Sequence, residues 1–215
     1  MVLNYIYLGT LIFCLLTGTL SYCFLGKETK IIYFLIFITV IIESIGFYNQ
    51  HISIERKINP LVYQIFSPLE AILIGAYFFS IIEKIYLRNL VVFLTIVDLI
   101  IFGLDLFFND YKSLQNFKLN LLPMGFYVMF CIFFYQQLLQ SDLEIRTNPF
   151  FWIVTGILFF NTSFFFLTGF INYIRERNLA LAKKLFSINH LINIFYYSLI
   201  TYGFICQRIS AKSSS

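Results

Sequence analysis

Seven apolar runs, each about as long as a bilayer is thick, alternate with short polar breaks along this chain. They fall near residues 4–25, 31–49, 61–82, 87–108, 119–139, 150–173 and 185–207. A helix needs about 20 apolar residues to cross roughly 30 Å of hydrocarbon. The pattern therefore predicts an all-α fold, a polytopic bundle of seven transmembrane helices forming a single domain over 1–215. A barrel would show alternating segments of about 10 residues, and none is present. The breaks are too short to fold alone, so no soluble domain is expected. The first run lacks a basic leader and is longer than the apolar core of a signal peptide, so it reads as a span.

Composition agrees with that pattern. Hydrophobic residues make up 60% of the 215, charged residues 12%, and the mean hydropathy is +0.82. The net charge of +4 suits anionic lipid headgroups and gives no support for nucleic-acid binding. Cys14, Cys23, Cys131 and Cys206 all lie inside predicted spans, with spacing that fits neither a metal knuckle nor a disulfide framework. They read as small buried apolar residues.

Orientation rests on the first span. Seven basic residues fall on the C-terminal side (Lys27, Lys30, Lys84, Arg88, Arg146, Arg208, Lys212) and eight on the other (Arg56, Lys57, Lys112, Lys118, Arg175, Arg177, Lys183, Lys184). The positive-inside rule does not separate these totals. Only the first span has asymmetric flanks, with Lys27 and Lys30 after it. This places the N-terminus outside and the C-terminus in the cytoplasm. Tyr5, Tyr7, Tyr48, Tyr63, Tyr111 and Tyr173 would mark one interface, and Tyr22, Tyr33, Tyr86, Tyr135, Trp152 and Tyr202 the other.

The candidate chemistry is a set of polar residues inside the spans. A charge at mid-membrane costs about 2.5–3.5 kcal/mol on insertion scales, so each one needs a reason. Counting the helical rise, Glu43, Asn189 and His190 lie roughly 9 Å below the N-terminal-side boundary. Glu70, Asp98, Asn161 and Asn193 lie roughly 14–15 Å down, and Asp105 is shallower. Tyr63, Glu70 and Tyr77 share a stripe, and so do Asn189, Asn193 and Tyr196 with His190 beside them. Together they predict a ligand-binding cup lined by Glu43, Tyr63, Glu70, Asp98, Asn161, Asn189, His190 and Asn193. Each also has a plainer role. Ser67-Pro68-Leu69-Glu70 matches a capping box for a helix starting at Pro68. The asparagines serve equally as glue between helices. A mixed Glu43, Glu70 and His190 metal site is the minor alternative. No cofactor is implied. A stripe of Thr10, Cys14, Gly18 and Ser21 predicts close helix approach.

Several functions are excluded. The seventh span has no interior lysine for a retinal Schiff base. Two histidines cannot supply a His-rich hydrolase centre. No HExxH, G-x-S-x-G or phosphate-binding glycine loop occurs.

Three stretches carry a resemblance: Tyr63–Glu70 (YQIFSPLE), Asn148–Ile153 (NPFFWI) with Gly156–Phe160, and Ile188–Ile194 (INHLINI). Over nearly the whole chain the sequence resembles a group of small seven-helix inner-membrane proteins of Bacteroidota. The resemblance implies a sensory accessory that accompanies a sensor histidine kinase, and it carries over no catalytic residues. The leading expectation is a non-enzymatic sensor or receptor-like protein that signals through a separate cytoplasmic partner. The alternatives are a small proton-coupled transporter and a lipid-acting membrane enzyme. The oligomeric state is left open.

Overall fold

The computed structural model describes residues 2–51, 58–108, 117–141, 144–175, 177–178, 181, 185 and 187–213. Among them are seven α-helices and no strand. They are α1 (Val2–Ser21), α2 (Lys27–His51), α3 (Ile58–Ile81), α4 (Ile85–Phe108), α5 (Phe117–Leu138), α6 (Pro149–Arg175) and α7 (Ile188–Ser213), with a short 3-10 turn at Tyr22–Phe24 after α1. Each predicted segment lies on its own helix.

Full-length apolar spans are fewer than expected. Among the described residues, four helices are long and apolar enough to cross a membrane, over Leu3–Phe24, Lys27–Tyr48, Ile85–Leu104 and Pro149–Ile171. α3 and α5 carry shorter apolar stretches, Ile65–Ile81 and Leu122–Leu138. α7 falls short because Asn189, His190, Asn193, Gln207 and Arg208 interrupt its apolar residues.

Nine helical hydroxyls are satisfied within their own helix. Thr10, Thr17, Thr19, Thr39, Ser44, Thr95, Thr155, Ser198 and Thr201 each donate a hydroxyl to the carbonyl four residues earlier, at 2.6–2.9 Å. A hydroxyl bonded in this way crosses hydrocarbon without an unpaired donor. Two helices contain an internal proline, Pro68 in α3 and Pro123 in α5. Each removes one N–H from the helical ladder. Pro68 also corrects the capping-box alternative: α3 begins at Ile58, ten residues before the proline, so Glu70 caps nothing.

The chain divides into two compact units, Met1–Gly26 with Met124–Ser215, and Lys27–Pro123. In the first, α7 packs against both α1 and α6. The α1 stripe is part of this contact: Cys14 and Ser21 are fully buried and Gly18 is buried. The Cys14 thiol hydrogen-bonds the Thr201 side chain of α7. On the other side, glycines permit the approach. A Cβ on Gly203 would lie 2.7 Å from Ile153 Cγ1 and 3.1 Å from the Pro149 carbonyl oxygen. Gly156 faces Leu199 and Tyr196 in the same way. α5 joins α6 through Tyr135, whose hydroxyl lies 2.7 Å from Thr155 Oγ1. Thr155 spends its own hydrogen on Phe151, so Tyr135 is the donor.

In the second unit, α3 packs against both α2 and α4. The three-residue connection between Ile81 and Ile85 makes α3 and α4 antiparallel neighbours. Gly75 sets their closest approach: a Cβ there would strike the Thr95 side chain, with Cγ2 at 2.9 Å.

The expected interface markers are mostly at the surface. Tyr5, Tyr22, Tyr48, Tyr86, Tyr173 and Tyr202 are exposed. Tyr33, Tyr135 and Trp152 are half-buried, and Tyr7 is buried, its ring near those of Tyr197 and His190. Tyr111 and the side chain of Tyr63 lie outside the described residues. Three of the four cysteines are buried as expected, whereas Cys23, on the 3-10 turn, is exposed.

These contacts make a paired test. Gly203→Val is expected to lose about 1–3 kcal/mol of stability through overpacking against Ile153. Gly169→Val, with nothing near its Cβ position, pays only the shared helix-propensity cost. Unfolding in detergent with both variants in parallel checks this: equal losses would show that the close approach is not limiting.

Candidate functional site

The predicted site residues divide between the two units. Glu43, Tyr63, Glu70 and Asp98 belong to the second, and Asn161, Asn189, His190 and Asn193 to the first.

In the second unit, register brings two carboxyl groups together. Gly75 on α3 sits opposite Thr95 on α4. In an antiparallel pair, five residues back from Gly75 reaches Glu70, and five residues on from Thr95 reaches Ile100, within a turn of Asp98. Glu70 and Asp98 do interact through their charges. Asp98 is buried, 6% exposed, and Glu70 is half-buried. Tyr77, two turns along from Glu70, is fully buried, and its ring meets Phe78 edge-on at 5.5 Å. Burial withdraws Asp98 from water, so like charges there lack its full screening. Such a site accommodates both groups when a proton or a cation offsets one charge. Glu43 is half-buried on α2.

In the first unit, the asparagines turn inward on their own helices. The Asn161 amide donates to the Ile157 carbonyl at 2.8 Å. The Asn193 amide donates to the Asn189 carbonyl at 2.8 Å and to its side-chain oxygen at 3.1 Å. These bonds stay within a helix and do not join two. His190 is half-buried, its ring 5.6 Å from that of Tyr7. Tyr7 continues to Tyr197 at 6.1 Å, Tyr197 to Tyr196 at 4.9 Å and Tyr196 to Phe160 at 4.9 Å. Neither unit gathers three His, Cys, Asp or Glu side chains into a metal-ligand group among its described residues.

Sequence reading missed Tyr7 as a partner of His190, because a tyrosine near a helix end reads as an interface anchor. It also missed the cations held over rings: Arg88 lies 4.1 Å from the centre of the Phe79 ring, and Arg177 lies 4.6 Å from that of Tyr173. The i, i+4 spacing of Tyr173 and Arg177 was the available signal.

Comparison with protein-family models, curated proteins and solved structures finds no match.

The self-bonded asparagines give a direct expectation. Asn161→Leu removes an amide whose donor is used within α6, so the variant should stay within about 1 kcal/mol of the parent. Chemical unfolding in micelles measures this. A loss of several kcal/mol would mean that Asn161 holds another helix or a ligand.

Proposed function

We propose that the chain is a seven-span protein of a bacterial inner membrane. It acts as a non-enzymatic sensor whose responsive element is the Glu70–Asp98 pair. The N-terminus lies outside and the C-terminus in the cytoplasm. A separate cytoplasmic protein, of the sensor histidine kinase type that the sequence resemblance implies, receives the signal.

One observation carries this reading: two carboxyl groups interact across α3 and α4 in an apolar setting. Protonation or cation binding changes their mutual repulsion. That change acts on the contact between two helices, and α3 is already interrupted beside it by Pro68. A two-state element biased by a local charge is the physical requirement of a switch.

A proton-coupled carrier is the second reading. It is favoured by the titratable Glu70 lying two residues from Pro68, which removes one backbone donor from the continuous helix α3. Proteoliposomes separate the two. A carrier acidifies or alkalises its lumen in response to an imposed gradient of substrate, and a sensor does not.

Two expectations follow. Melting temperature in detergent should vary between about pH 4 and about pH 9, and Glu70→Gln or Asp98→Asn should flatten that dependence while leaving expression intact. Glu43→Gln measures whether Glu43 shares in the response. An unchanged pH profile in both pair variants would reduce the pair to a structural feature. For topology, a C-terminal alkaline phosphatase fusion should be inactive and a C-terminal green fluorescent protein fusion bright. The reverse result would invert the orientation.

A further inference from the structure

We propose that the groove between α6 and α7 seats one acyl chain of an anionic phospholipid, with Arg177 holding the headgroup. The proposal rests on reading α7 as a membrane span. The groove has a volume of about 560 Å³ and is lined by Phe159, Ser163, Leu167 and Phe170 of α6 and by Ile188, Leu191, Ile192 and Phe195 of α7. Among the described residues of that lining, Ser163 supplies the only polar side chain. Phe159 and Phe195 close its inner end, their rings 4.4 Å apart.

Its length fits one leaflet. Phe159 to Phe170 is roughly 16 Å of helix, about half the ~30 Å of the hydrocarbon layer. The groove therefore runs from mid-membrane to one polar boundary. Phe170, Ile188, Leu191 and Phe195 are all at least 41% exposed, so its rim opens sideways, where acyl chains approach.

Charge selects the lipid. Arg177 lies in the turn just beyond the end of α6, and Tyr173, three residues on from Phe170 along that helix, is its neighbour. Its guanidinium rests over the Tyr173 ring at 4.6 Å, which fixes a cation at the boundary end of the groove. α7 begins at that end, and its N-terminus adds partial positive charge. The surrounding sequence, Arg175-Glu176-Arg177 followed by Lys183-Lys184, is net basic. A phosphate matches this arrangement through charge-assisted hydrogen bonds. A second copy of the same face does not, because neither α6 nor α7 contains an Asp or Glu.

The test is thermal stability of the full chain in detergent with added phosphatidylglycerol or phosphatidylcholine of identical chains. Phosphatidylglycerol should raise the melting temperature at about tenfold lower concentration than phosphatidylcholine. Arg177→Gln should erase that preference while keeping the lipid-free melting temperature. Leu191→Trp, which fills the groove, should abolish stabilisation by both lipids. Equal stabilisation of the parent by the two lipids overturns the proposal, as does a preference that survives Arg177→Gln. Concentration-dependent dimerisation lost in Leu191→Trp also overturns it, by assigning the groove to a second copy. A separate readout isolates the span reading: Phe195→Cys in a Cys23→Ser background should resist a water-soluble maleimide in permeabilised membranes. Rapid labelling would show α7 outside the hydrocarbon. Resistance combined with no lipid preference would sink the lipid site alone.

Discussion

Hydrocarbon offers no hydrogen-bond partner, and this single constraint organises the molecule. Helices meet it for the backbone. Side chains meet it by bonding back to their own helix, as nine serine and threonine hydroxyls do. Asn161 and Asn193 follow the same rule with amides. A polar residue treated in this way is neutral toward its neighbours. Helix association then falls to shape: glycines at 75, 156 and 203, the small stripe on α1, and aromatic rings in series from His190 to Phe160.

Against that background Glu70 and Asp98 stand apart. A carboxylate has no hydrogen to return to a helical carbonyl, so it must find charge compensation elsewhere. Here, whatever else each one meets, the two also act on one another as like charges. On the proposed reading, a proton or a cation offsets one of the two charges, which would make occupancy of the pair sensitive to conditions outside the protein. Pro68 lies two residues from Glu70, where the ladder of α3 is already missing a donor. Chemistry and mechanical weakness coincide at one level of one helix pair.

The helices were legible because apolar runs of bilayer length have no other stable form in lipid. The shared level of Glu70 and Asp98 was legible too, since a rise per residue converts position into height along each helix. Partnership was less so. The sequence placed Asn161 and Asn193 in a deep polar layer, but a hydrophobicity pattern does not distinguish an amide facing a ligand from one bonded to its own carbonyl. Tyr7 was assigned to an interface because position near a helix end says nothing about which neighbour covers the ring. The capping box at Ser67 was locally persuasive, yet the helix ran through it. Extending α3 by ten residues keeps backbone groups paired in an apolar medium, which outweighs one lost bond at proline. The α6–α7 groove had no sequence signal, because a groove depends on how side chains of two helices interdigitate.

The central claim is that Glu70 and Asp98 act as one unit, and a double-mutant cycle tests it most directly. Stability of Glu70→Gln, Asp98→Asn and the double variant is measured at one pH in the same detergent. Two carboxyl groups that share a compensating charge should show a coupling energy of about 1–3 kcal/mol. Additivity within about 0.5 kcal/mol would show two independent acids and would contradict the account.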